Sequence, residues 1–143
     1  MESSAFTVRP ATWREDQRAL QSVRHPVFVI EQKVDAREEF DDVDPVCQHI
    51  LASDMKGTPI GTGRIDSHGK IGRMAVLSEW RKSGVGRAIL LLALELARAQ
   101  GLKRVYLHSQ VGALGFYARN GFIAYGERFF EAGIEHQAME LEL

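Results

Sequence analysis

The chain has 143 residues, 45% of them hydrophobic and 26% charged, with a formal net charge of -1, which is the balance of one soluble domain able to bury its own core. Near neutrality excludes a global basic field for nucleic acid, and the longest apolar run, AILLLAL at 88–94, is far too short to span a membrane. A single cysteine, Cys47, excludes an internal disulfide and fits a reducing, cytoplasmic setting, and the start MESSAFTVRP lacks the basic end and apolar stretch of a secretory signal.

In chain order, AFTVRP predicts a short strand stopping near Pro10. TWREDQRALQSVRHPVFVIEQ predicts a helix: Thr12 can cap it, Glu15 stands where a capping box places its acid, and Pro26 interrupts the pattern. DAREEFDDVDP is acidic and polar, hence a loop. QHILASD, TPIGTGRID and GKIGRMAVL predict three strands separated by Gly, Asp and Pro turn signals. Over 84–100 the polar residues Arg87, Glu95 and Arg98 fall in one stripe, so this helix is buried against a sheet over most of its surface. KRVYLHS is a strand, VGALGFYAR a short helix closed by Asn120-Gly121, and GFIAYGERFF and IEHQAMELEL form a closing hairpin joined at EAG. One domain over residues 1–143 follows, of the α/β class, with helices on the faces of a mixed sheet. An open edge at the last strands calls for cover, which a homodimer would supply.

The stretch RKSGVG, residues 81–86, stands at the entrance of the long helix. Two glycines there weaken the backbone, yet they expose first-turn amides that lack partners at the positive end of the helix dipole. With Arg81 and Lys82 alongside, the loop is an anion site suited to a pyrophosphate. A P-loop would need Lys-Ser/Thr where Arg87-Ala88 stands. A dinucleotide fingerprint would need glycine at Ile89 and an acid where the next strand ends in His108-Ser109. The partial match GTGRID at 61–66 precedes no helix and reads as small residues within a strand.

RKSGVG resembles the Arg/Gln-x-x-Gly-x-Gly/Ala signature of the GNAT superfamily of N-acetyltransferases, and FYARNGF, residues 116–122, resembles its late Phe-Tyr element. VRHPVFVIEQ and GERFFEAGIEHQAMEL are similar to the ends of the small bacterial ElaA/YjcF-type members. The resemblance implies a mixed, mostly antiparallel sheet of six to seven strands flanked by about four helices. It also implies acetyl-CoA as donor and an amine of a small molecule, peptide or protein as acceptor; no metal site is expected, since five histidines and one cysteine show no paired ligand spacing. Pyrophosphate would lie on Arg81, Lys82, Ser83, Gly84, Val85, Gly86 and Arg87, with pantetheine paired along Met74, Ala75 and Val76. Phe116 would join the cofactor site, as would Gln110, which stands where the superfamily commonly has Asn.

Acyl transfer needs a neutral amine and an acid for the departing thiolate. The resemblance implies Tyr117 as the acid; its spacing fits a core aromatic beside Phe116 and Phe122 equally well. Glu31, directly after an apolar run, is the expected base, with His136 and His49 as alternatives and an exposed helix-end carboxylate as the plainer reading. Phe28, Arg73, His108 and His136 are expected at the acceptor site. The acids Glu38, Glu39, Asp41, Asp42 and Asp44 form either a solvated loop or an attractor for a cationic amine. Arg64 and Arg73 point the other way, to an acidic acceptor. A non-catalytic acyl-CoA-binding or interaction module is the alternative to an enzyme.

Overall fold

The computed structural model describes residues 5–143. Strand β1 (Phe6–Ala11) leads into α1 (Trp13–Arg24), a π-helical segment (His25–Glu31) and the short α2 (Ala36–Glu39). Then come β2 (Gln48–Asp54), β3 (Pro59–Ile65), β4 (Lys70–Val76), α3 (Val85–Ala99), β5 (Arg104–Gln110), α4 (Leu114–Arg119), β6 (Ile123–Glu131) and β7 (Ile134–Glu142). The seven strands form one sheet in the order β1-β2-β3-β4-β5-β7-β6. All neighbours are antiparallel except β4 and β5. The expected mixed, mostly antiparallel sheet with four helices is therefore present.

Several local expectations are refined. Strand β1 runs through Pro10 to Ala11, because an edge strand tolerates proline. Thr12 caps α1 by accepting from the Glu15 amide at 3.2 Å, but its own N–H donates to Asp16, not Glu15, at 3.0 Å. Pro26 does not end the helix. Lacking an N–H, it breaks the ordinary ladder, and the chain widens into a π turn in which the Gln32 amide donates to the Val27 carbonyl at 3.0 Å. The EAG joint is a two-residue turn with Ala132 and Gly133 both at positive φ, the hand that matches strand twist.

The main core lies between the sheet and α3, whose Val85, Ile89, Leu90, Ala93, Leu94 and Ala97 are buried. Gly61 and Gly63 explain how close that packing is. A Cβ on either would lie 2.8 or 2.7 Å from the Ile89 side chain, so GTGRID serves helix packing. The acidic segment, expected as a loop, carries α2 and is partly buried on the opposite face. At the far end β6 is an open edge, with Ile123 and Phe130 exposed. Among the described residues no helix is long and apolar enough to cross a membrane.

Candidate active site

Strands β4 and β5 pair only at Lys70–Tyr106 and Ile71–Leu107, then part. A bulge in β4 accompanies the splay: the register with β3 shifts between Thr62 and Arg64, and Arg73 takes φ 50°. That backbone is disfavoured for a side chain and needs external support. Thr62 supplies it by donating to the Arg73 carbonyl at 3.0 Å, and the Arg73 guanidinium donates to the Glu39 carbonyl at 2.8 Å and the Asp41 carboxylate at 3.1 Å. Ala75 and Val76 thus remain paired with β3 on one side, with Met74 in the bulge before them, and this stretch has no strand on the other side. An extended ligand can add there as a strand would.

The glycine loop stands at the end of this open edge. Gly84, at φ 91°, is the N-cap of α3 with no side-chain cap, and the first-turn amides of Val85–Arg87 have no acceptor among the described residues. Conformation alone accounts for Gly84. It does not account for Gly86, where a Cβ would make ordinary contact with Phe116 at 3.5 Å. The fold tolerates a methyl there, whereas a ligand reaching the amides would not. The donors and the room fit a phosphate-bearing guest. Lys82 and Arg87 are exposed beside them.

Arg81 is not free for that guest. Its Nε donates to the Val76 carbonyl at 3.0 Å, and its terminal nitrogens donate to the two Glu31 oxygens at 2.6 and 2.7 Å. The hydrogen bonds and charge of Arg81 hold the Glu31 carboxyl below the usual range. Glu31 and Arg81, expected as base and phosphate ligand, therefore form a clamp between the π-helical segment and the end of β4. A second tie lies nearby: the Gln110 amide nitrogen donates to Gln32 at 2.8 Å.

Below the splay is a cavity of about 470 Å³. It brings together Phe28, Arg73, His108, Gln110, Tyr117 and His136, all singled out in the sequence. Glu31 and His49 do not line it. His49 is buried, stacked on Trp13, and bonded through Nε2 to the Asp44 carbonyl at 2.9 Å; burial pushes its pKa down. Tyr117 packs edge-on against Phe116 and Phe122. It is thus a core aromatic by its ring, yet it also borders the cavity. Burial pushes its hydroxyl up to about 12.

The acidic run divides: Glu38 and Asp42 are exposed, as a solvated loop would have them, whereas Glu39, Asp41 and Asp44 are held by internal arginines. Arg24, at 1% exposure, donates to Glu39 at 2.6 Å and Asp44 at 2.9 Å. Arg64 donates to Asp44 at 2.7 Å and Asp41 at 2.8 Å, and Arg73 completes the ring. Partial burial works against ionisation of Asp41, but Arg64 and then Arg73 overcome it and hold the carboxyl at about 2. Arg64 and Arg73 are thus spent on internal acids, so an acidic acceptor would have to compete for them. The network anchors the 35–47 segment as a wall of the cavity.

Among the lining residues that the sequence did not single out, one carries a charged contact to an expected site residue. Glu131, at the end of β6, accepts from His108 Nδ1 at 3.0 Å. Nothing in GERFFEAG marks it. Only the pairing of β5 with β7 and of β7 with β6 carries it there. Among the described residues no cluster of three or more His, Cys, Asp or Glu is placed to hold a metal.

The family model described as "Acetyltransferase (GNAT) domain" matches residues 21–143. A protein of Bacillus subtilis (strain 168), called the uncharacterized N-acetyltransferase YjcF, is 40% identical over 122 residues, 82% of this chain and 86% of that one. Among solved structures, an acyl-CoA N-acyltransferase from Pseudomonas aeruginosa superposes with a TM-score of 0.84 at 29% identity, over 95% of this chain and 99% of the other. ElaA of Escherichia coli gives 0.82 at 28% identity, over 94% and 98%.

Proposed function

The chain belongs to the GNAT family and is an N-acetyltransferase, and from that premise we propose that it moves the acetyl group of acetyl-CoA to a primary amine by direct attack in a ternary complex. The observation that carries the reading is the continuity of three features. An uncapped helix entrance follows the open edge of β4, its Gly86 lies against Phe116 next to Tyr117, and β4 through Arg73 lines the cavity that Tyr117 borders.

The amides of Lys82–Arg87, with the Lys82 and Arg87 side chains, bind the pyrophosphate. The Met74–Val76 backbone takes the pantetheine, with Gln110 and Phe116 beside it. The bound donor supplies a thioester, whose carbonyl a β4 amide polarises. Tyr117 protonates the departing sulfur. A thiol has a pKa of about 8.5, so a phenol at about 12 is a weak acid, and its proton passes to sulfur as a proton from the amine replaces it. Phe28, Arg73, His108 and His136 form the acceptor end. A cytoplasmic location suits the single Cys47, whose thiol burial pushes up to about 11 and so keeps unreactive.

The test is thiol release from acetyl-CoA with a panel of primary amines, together with calorimetry of CoA. Amine-dependent release supports the reading. Tight CoA binding without turnover of any amine would leave a binding module instead.

A further inference from the structure

We infer that His108 is the general base that deprotonates the acceptor amine, and that Glu131 is the residue that positions it. This rests on the acetyl-transfer reading above and adds the missing proton acceptor.

Glu131 Oε1 lies 3.0 Å from His108 Nδ1. Burial works to raise the Glu131 carboxyl, but the hydrogen bond and charge of His108, with His136 and Lys70 further off, hold it below the usual range. An ionised carboxylate only accepts, so the proton of the neutral ring sits on Nδ1 and the lone pair on Nε2. Phe129 packs edge-on against the imidazole at 4.9 Å between centroids and fixes its plane. The side chain is 27% exposed and lines the cavity that Tyr117 borders, and of its two nitrogens Nδ1 is the one held by Glu131.

His136 shares the cavity and is similarly oriented, with Nδ1 bonded to the Ile134 carbonyl at 2.7 Å. Two differences favour His108. A carbonyl dipole stabilises a nascent imidazolium less than a full negative charge does. His136 is also 7% exposed and stacked on Phe129, which limits an incoming ammonium. Glu31 is spent on Arg81 and does not line the cavity.

The acceptor arrives as an ammonium. One N–H bond breaks, its proton goes to His108 Nε2, and the electron pair stays on nitrogen. That pair forms the bond to the acyl carbon as the carbon–sulfur bond breaks. Sulfur takes the hydroxyl proton of Tyr117, which the second amine proton restores. His108 returns its proton to solvent, and the acetyl amide and a free thiol remain.

Charged and titratable groups facing His108 are Glu131 from β6, His136 from β7, Lys70 from β4 and Tyr106 on its own strand. Across the cavity stand Glu38 and Arg73. Only Glu131 is hydrogen-bonded to the ring, so its removal isolates the pair.

The experiment uses the full chain with saturating acetyl-CoA, the best amine from the panel, and His108→Gln, His136→Gln, Glu131→Gln and Glu131→Asp. We expect His108→Gln to lower kcat by about 10²-fold or more, with acetyl-CoA affinity unchanged. Glu131→Gln should lower kcat by about tenfold or more, with acetyl-CoA affinity unchanged, and should reduce the population of the Nδ1–H tautomer of the His108 ring read by 15N NMR. Glu131→Asp should restore part of both. Wild-type kcat in His108→Gln, a larger loss in His136→Gln, or wild-type kcat in Glu131→Gln overturns the assignment. An unchanged His108 tautomer in Glu131→Gln overturns the pair whatever the turnover. Absence of turnover by the wild type with every amine overturns acetyl transfer itself, and the NMR tautomer signature tells that failure from failure of the pair.

Discussion

Glu31 and Arg81, fifty residues apart in sequence, meet through two parallel hydrogen bonds of 2.6 and 2.7 Å, and Arg81 Nε holds the Val76 carbonyl at the same time. The pair ties the π-helical segment to the open end of β4, so it shapes the entrance to the glycine loop. Both side chains are part-exposed, which places the pair among surface bridges of about 0.2–1 kcal/mol. We expect Arg81→Ala and Glu31→Gln each to weaken CoA binding by about 1.4- to 5-fold, and the double variant to be no worse than either alone. Calorimetry of the four proteins measures the coupling. Additive losses would return Arg81 to the role of an independent phosphate ligand.

Gly86 separates ligand binding from folding. Alanine there meets Phe116 only at ordinary contact distance and raises helix propensity by up to about 1 kcal/mol. The Tm of Gly86→Ala should therefore stay level or rise. Affinity for CoA should fall about tenfold or more, since one tenfold step corresponds to only about 1.4 kcal/mol. Pantetheine, which lacks the pyrophosphate, should bind the variant as it binds the wild type. Equal loss for both ligands would move the pyrophosphate away from this loop.

Tyr117→Phe keeps the ring that packs against Phe116 and Phe122 and loses only the hydroxyl. Thermal unfolding should barely move. In the thiol-release assay kcat should drop by about 10²-fold or somewhat less, the low end of general-acid effects, because the thiolate is already a tolerable leaving group. A hydroxyl held at about 12 stays protonated across the assay range. The wild type should accordingly show no basic limb attributable to Tyr117 below about pH 11. Wild-type turnover in Tyr117→Phe would leave Tyr117 as core alone.

The arginine–carboxylate ring sets acid stability. The folded pKa of Asp41, about 2, lies below the unfolded value of about 3.9. Its contribution is therefore present above about pH 4 and is lost as pH falls through about 2. Urea unfolding between pH 2 and 5 should show a steeper acid loss in the wild type than in Asp41→Asn. Arg24→Met removes the main partner of the buried Glu39 and one of the two arginines on Asp44, and should cost up to about 3–5 kcal/mol at neutral pH.

By itself the sequence determined what local chemistry controls. Apolar periodicity placed the strands and α3, Thr12 marked a helix start, and the glycines of RKSGVG marked a helix entrance without a side-chain cap. These features depend on neighbours within a turn or a strand, so they are legible from spacing. Pro26 was legible as a disturbance, but its resolution into a π turn was not, since a helix can end or widen at such a point. Tertiary structure alone decided which charges meet. Arg24, Arg64 and Arg73 take up Glu39, Asp41 and Asp44 across 15 to 34 residues, turning an acidic loop into a cavity wall. Arg81 is claimed by Glu31, and Glu131 reaches His108 only through the register of three strands. A charged side chain carries no mark of its partner in the sequence, because the partner is set by where distant elements bring complementary groups within hydrogen-bonding distance.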